Sequence, residues 1–237
     1  AYALAMLNIL YIVGFLADFG VPKSVNDGVV GPLWSSVLID FALIFLFGLH
    51  HSATARLSFK RLCARWLPAD MERPTYLYMT ALATGALVWF WQPVPVTLWQ
   101  IGAPLIAGGI VALYLGVLTM MVAATFHFGH FGFFGLADAW NSFRGRIASE
   151  NGFCSRWLYG LVRHPISLGW MLAPWLTPHM TLGQMVFALG TVVYILAATP
   201  FEERDLVELL GDRYRRYRED VPAFLPRFRR RKPVAAE

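Results

Sequence analysis

Apolar runs too long for the interior of a small soluble domain set the first limit on this chain. Residues 3–19, 33–49, 75–92 and 98–124 are four such runs. A fifth apolar region covers 166–200, with a break at Thr177-Pro178-His179-Met180-Thr181. A membrane span needs about 20 apolar residues, so these runs predict membrane-crossing helices. Tyr76 and Tyr78 near one end of the third run, with Trp89 and Trp91 near the other, fit aromatic belts at two interfaces. Composition agrees: 57% of the 237 residues are hydrophobic and 15% are charged, where soluble domains carry about 25% charge. A disordered or collagenous chain is excluded, and a soluble enzyme is disfavoured. The first run has no basic flank and carries Asp18 where a cleaved signal would have small residues, so it reads as a retained helix.

Charge placement orders the runs. Of the 20 Lys and Arg residues, Lys23 stands alone in 20–32, five lie in 51–74, four in 125–165 and ten beyond residue 200. A single crossing by 166–200 would put the last ten opposite the nine of the two middle loops. A hairpin there puts 19 of the 20 on one side, which the positive-inside rule makes cytoplasmic. The expected fold is therefore all-α: a polytopic membrane protein, one domain over 1–237, with five to six membrane segments. Four spanning helices occupy 1–124, a cytoplasmic loop 125–165, a C-terminal helical hairpin 166–200 and a cytoplasmic tail 201–237. Within the tail, Glu202 to Tyr217 predict a helix that Gly211 interrupts and Pro222 and Pro226 end. The net charge of +5 and the run Arg229-Arg230-Arg231-Lys232 point to anionic lipid as a partner and away from nucleic acid. Cys63 and Cys154 lie far apart with no CxxC and read as free thiols.

The hairpin also sets Arg163-His164-Pro165 beside Glu202-Glu203-Arg204 at one membrane face. Such groups are costly next to an apolar interior unless they are paired or used. Snorkelling side chains held in a local salt bridge would be the plain explanation. The order of residues says more. Tyr159-Gly160-Leu161-Val162-Arg163-His164-Pro165-Ile166-Ser167-Leu168-Gly169 resembles the RHPxYxG signature of the isoprenylcysteine carboxyl methyltransferase-like membrane methyltransferases, with Ser167 where that family has Tyr. Glu202-Glu203-Arg204-Asp205-Leu206 is similar to its EExxL motif, and Gly211, Tyr214, Tyr217, Val221-Pro222 and Pro226 to its ending. Upstream, Gly48-Leu49-His50-His51-Ser52-Ala53-Thr54-Ala55-Arg56 and the stretch from Thr125 to Leu136 resemble the NnrU-like branch, and within it the thiol methyltransferases that convert methanethiol to dimethyl sulfide.

The resemblance implies S-adenosylmethionine as cofactor, held by Tyr159, Arg163, His164, Pro165, Gly169, Glu202, Glu203, Arg204, Tyr214 and Tyr217. Chemistry suits these residue types. Arg163 and His164 match the methionine carboxylate, Arg163 by a two-pronged bond, and Glu202 or Glu203 matches the ammonium. Tyr214 and Tyr217, three apart, share a helix face that can cover the adenine. A small thiol, with a pKa near 8.5 (roughly the free-thiol value), needs a base to become a nucleophile. His51 and His130 are the first candidates and His50 the next, with His127 and His179 behind. Phe126, Phe131 and Phe134 can line a narrow apolar pocket for the substrate. His50-His51 with His127 and His130 could supply several imidazoles, and His127 and His130 can share a face, but neighbouring His50 and His51 diverge by about 100° on a helix, so no metal is expected. Two alternatives stay open: a prenylated or lipid acceptor, and a non-enzymatic haem- or metal-binding membrane protein of nitrogen-oxide metabolism. A channel is disfavoured, since only Asp18 and Asp40 fall in or near the first two runs.

Overall fold

The structure, a computed structural model, describes residues 1–127, 129–145 and 155–226. Cys154 and the Arg229–Lys232 run lie outside the described residues. Among the described residues, ten α-helices and one small ribbon follow in order. Helix α1 is Tyr2–Ala17, α2 Leu33–Ala55, α3 Leu57–Cys63 and α4 Ala69–Phe90. Strand β1 is Thr97–Gln100, followed by α5 Pro104–Phe126, α6 His130–Phe133 and α7 Leu136–Phe143. A 3₁₀ turn at Trp157–Gly160 leads to α8 Pro165–Leu172 and a second turn at Ala173–Trp175. Strand β2, His179–Thr181, then opens into α9 Leu182–Leu210 and α10 Asp212–Asp220.

Among the described residues, α2, α5 and α9 are long and apolar enough to cross a membrane. That is fewer than the four spans plus hairpin read from the sequence. Helix α1 is 16 residues long, short of the ~20 that a span requires. Helix α4 is diluted by Glu72 and Arg73 in its first turns and by Thr and Tyr along its length. Large apolar side chains such as Leu7, Phe45, Leu82 and Leu105 are exposed on the outside of the bundle. Such a surface suits lipid and not water.

The fourth apolar run is not helical throughout. Pro93 and Pro95 hold the chain extended, and β1 pairs antiparallel with β2, Trp99 opposite Met180 and Gln100 opposite His179. The all-α expectation is amended by this ribbon. Helix α5 starts only at Pro104, whose fixed φ and missing N–H suit a first helical position. The 166–200 region does turn back on itself, through the eight-residue α8, a 3₁₀ turn with Pro174, and β2. The Thr181 side chain then caps α9 by accepting from the Gln184 N–H at 3.3 Å. The expected boundary at residue 200 is absent: α9 runs 29 residues straight through Pro200. It stops at Gly211, whose φ of 58° favours glycine.

Helix α2 packs between α4 and α9, α1 on α4, and α8 between α5 and α9. Close approach of α2 and α9 rests on two glycines. A Cβ at Gly48 would lie 2.5 Å from the Tyr194 ring, and one at Gly190 would lie 2.7 Å from Ile44. Phe15, Leu16, Trp91 and Phe187 form the centre of the main core with Ile12, Ile44 and Leu87. These contacts bring the start of α1 and α4, the ends of α2, α5 and α9, and the start of α8 to one end of the bundle.

Candidate active site

A cavity of about 870 Å³ opens at that end. Its mouth lies among the ends of α2, α4, α8 and α9, and its floor is the core itself, at Ile12, Ile44, Leu87 and Phe187.

One wall is built around Glu203, which is buried. Its Oε1 accepts from Arg163 Nε at 2.7 Å, Arg163 Nη2 at 2.6 Å and His164 Nε2 at 3.0 Å. Its Oε2 lies 3.2 Å from Arg218 Nε. A buried carboxylate requires such compensation. Arg163 Nη1 donates to the backbone carbonyls of Arg218 and Val221. The backbone N–H groups of Arg163 and His164 donate to the carbonyls of Pro222 and Ala223, at 2.9 and 3.2 Å. The segment after α10 is thereby laced to the start of α8. The two-pronged face of Arg163, expected on the cofactor carboxylate, is taken up by Glu203. Of the two neighbouring glutamates it is Glu202 that lines the cavity; its side chain is 55% exposed and stands 3.8 Å from His164 Nδ1.

Tyr159, Tyr214 and Tyr217 line the cavity next to this wall. Tyr217 donates its hydroxyl to the Tyr159 carbonyl at 2.6 Å, and the Tyr214 and Tyr217 rings meet edge to face at 5.7 Å. Burial pushes the Tyr217 phenol up to about 12, against the opposing pull of Arg163. It raises the phenols of Tyr159 and Tyr214 as well. All three therefore stay protonated in neutral solution.

Two histidines also line the cavity. His51 Nε2 lies 2.9 Å from the Tyr76 hydroxyl, and its ring stacks on Phe47 at 5.4 Å. Tyr194 stands edge-on to the same ring, and its hydroxyl accepts from Ser52 at 3.2 Å. His130 is held from both sides. Thr125 donates its single proton to the Val122 carbonyl at 2.7 Å, so it accepts from His130 Nδ1 at 2.7 Å. His130 Nε2 then accepts from Tyr2 at 2.8 Å. This pins α1, α5 and α6 together. Arg73 reinforces the roof: its Nε donates to the Phe133 carbonyl at 2.9 Å, and its stem packs where a Cβ on Gly135 would clash at 2.6 Å. Gly135 has φ 72°, a second reason for glycine. Ion pairs frame the mouth, Arg56 with Asp205 at 3.3 Å, Lys60 with Glu72 at 2.8 Å, and Arg61 with Glu208.

Several expected site residues stand elsewhere. His50 does not line the cavity, because it points about 100° away from His51 on α2. Phe126 and Phe131 are mostly exposed and outside the lining, although Phe126 stacks on His130 at 4.8 Å. Phe134 does line it, as does Pro165 at the start of α8. Arg204 sits over the Phe201 ring at 5.8 Å. Gly169 makes room for Met121, which a Cβ would meet at 2.2 Å. The sequence reading missed Tyr2, Tyr76, Arg73, Arg56 and Asp205. Polar residues in the turns next to a charged loop were the available signal. Among the described residues no group of three or more His, Cys, Asp or Glu side chains is placed to hold a metal ion.

No protein-family model matches the chain, and no solved structure matches it. Curated relatives do. The chain is 40% identical over 227 residues to a methanethiol S-methyltransferase of a Pseudomonas species, covering 95% of this chain and 87% of that one. It is 39% identical to the methanethiol S-methyltransferase of Mycobacterium tuberculosis, over 95% of this chain and 93% of that one. It is 41% identical to methanethiol S-methyltransferase 2 of Bradyrhizobium diazoefficiens, over 98% and 90%. With matches of this identity and length, the chain belongs to the methanethiol S-methyltransferase family.

Proposed function

We propose that the chain is an S-adenosylmethionine-dependent methyltransferase that converts methanethiol to dimethyl sulfide at the cytoplasmic face of a membrane. The observation that carries this reading is the shared cavity. Arg163, His164 and Glu202 line the same cavity as His51 and His130. The names of the relatives supply the acceptor and the reaction class.

The residues fit the cofactor. Glu202 offers an exposed carboxylate to the ammonium, Arg163 and His164 lie beside it for the carboxylate, and the three tyrosines provide faces for the base. Glu203 does not touch the cofactor in this reading; it holds Arg163 and His164 in place. When bound, S-adenosylmethionine supplies a methyl group activated by its sulfonium. His51 is the base. Tyr76 passes its hydroxyl proton to His51 Nε2, 2.9 Å away, as it receives the proton of the thiol. His130, with both ring nitrogens engaged, holds α6 over the cavity. Phe47, Phe134 and Tyr194 keep water from the thiolate, which leaves the sulfur poorly solvated and reactive.

Membrane placement follows the same axis. Arg56, Lys60, Arg61, Arg73, Arg163 and the α10 arginines gather at the cavity end, and Lys23 lies at the other. That asymmetry supports a cytoplasmic cavity and tail, with α1, α4 and the α8–α9 hairpin as membrane segments beside α2 and α5. The bacterial relatives support an inner membrane of a bacterium. The test is headspace gas chromatography of detergent-purified protein given S-adenosylmethionine and methanethiol, with Arg163→Ala as control. Dimethyl sulfide that requires both reagents and is lost in the control is expected. Tight cofactor binding with no dimethyl sulfide would move the acceptor elsewhere.

A further inference from the structure

The cavity is larger than a one-carbon thiol needs, and its two parts differ in kind. Charged and phenolic groups occupy the mouth, from Arg56 and Glu202 to Tyr217. Beyond His51 the lining turns apolar. Ile44 is seven residues from His51 along α2, and Leu87 is eleven from Tyr76 along α4. At ~1.5 Å per residue the space runs roughly 10–16 Å past the histidine into the bundle. Its walls there include Ile9, Ile12, Ile44, Leu87 and Phe187, with Asn8, Thr84 and Thr191 as the polar side chains among them. Thr84 turns its hydroxyl to the Thr80 carbonyl at 3.0 Å, so it offers this space a methyl group and little polarity.

A charged cofactor is excluded from such an arm by the cost of desolvation. The chemistry that fits is an unbranched hydrocarbon chain attached to the sulfur that reacts at His51. We propose that the protein also methylates longer n-alkane thiols, with the alkyl chain lying in this arm. The inference rests on the methyltransferase reading above. In each case a sulfur lone pair of the thiolate forms the new S–CH3 bond. The bond from that methyl to the sulfonium breaks, and its electron pair stays on the cofactor sulfur as a thioether. The thiol proton leaves through Tyr76 to His51.

The full chain, purified in detergent, is given S-adenosylmethionine and n-alkane thiols of one to four carbons, with the methyl alkyl sulfides measured in the headspace. KM is expected to fall about fourfold per added methylene, the value of one buried CH2. Thr84→Leu and, separately, Thr191→Leu fill the arm. Each is expected to keep methanethiol turnover and to abolish the gain for longer thiols. Calorimetry with methyl butyl sulfide gives a readout independent of turnover: binding to the wild type, and at least tenfold weaker binding to a folded filled variant. Either variant alone suffices if the other fails to fold. Turnover of methanethiol with none of the longer thiols overturns the inference and leaves the methyltransferase reading intact. An equal gain in the wild type and in the filled variants also overturns it, assigning the trend to partition into micelles. No product from any thiol, methanethiol included, overturns both.

Discussion

The two ends of the bundle hold similar polar groups and use them differently. At the end away from the cavity, charge is turned onto backbone. Lys23 donates to the Trp89 and Trp91 carbonyls at 2.8 and 2.9 Å, capping the C-terminus of α4 where a cation suits the helix dipole. Asp40, fully buried, accepts from the Gln92 N–H at 2.9 Å. Asn26 accepts from Thr181 at 2.8 Å, and Trp91 donates to the Val25 carbonyl at 3.1 Å, so the 18–31 loop is tied to the ribbon and the core. At the cavity end, side chains meet side chains. Arg163, His164, Glu203 and Arg218 form one network, and His51 with Tyr76 another. Groups that close helix ends leave no space between them. Groups that pair across separate helices hold those helices apart and frame a cavity. A charged side chain near a membrane is thus a stronger guide to function where it pairs with other charged side chains from distant parts of the chain than where it closes a helix end.

Substitutions on either side sharpen the contrast. Arg163→Ala carries the largest expected effect: Glu203 keeps only part of its compensation, a cost of roughly 3 kcal/mol for a broken buried pair. Cofactor affinity should fall by about a hundredfold or more by calorimetry, while circular dichroism still reports helix. Normal affinity would end the assignment of this wall. Next is His51→Gln, expected to lower turnover about a hundredfold and leave cofactor affinity unchanged. If turnover holds across neutral pH, histidine takes no part in the proton transfer. Tyr76→Phe removes the relay but keeps the ring, and should cost roughly tenfold in turnover with normal thermal stability. At the opposite end, Asp40→Asn should change little. The amide oxygen replaces Oδ1 toward Gln92, and its NH2 stands where Oδ2 has no partner. Stability should stay within about 1 kcal/mol by thermal unfolding, with turnover unchanged. A folded Asp40→Asn protein with impaired turnover would erase the distinction between the two ends.

Much of this arrangement was legible in the residues. Apolar runs located the cores of α2 and α4, and Gly211 marked the break after α9, because run length and glycine are local signals. The return of the chain between Arg163 and Glu203 was legible from charge alone. Other features depended on tertiary partners. The β1–β2 ribbon joins segments about 80 residues apart, and neither strand is long enough to announce itself. The apolar region ends at residue 200, but the helix does not: Pro200 removes only one N–H and the flanking turns continue past it. The direction of His50 against His51, and of Phe126 and Phe131 against Phe134, depended on helix phase, which a motif does not carry. Tyr2 and Tyr76 escaped because a tyrosine at a helix end fits an interfacial belt equally well.

Helix α9 is one unbroken rod from the Thr181 cap at the far end to Leu210 at the cavity end. Inserting or deleting one residue between Gly190 and Glu203 would turn everything downstream by about 100° and shift it by about 1.5 Å. Glu203 would leave Arg163, and Glu202 would leave the cavity. Length changes in this family should therefore collect in the connections, such as the loop between α1 and α2, and be purged from α9. Its residue count is as much a part of the site as its side chains.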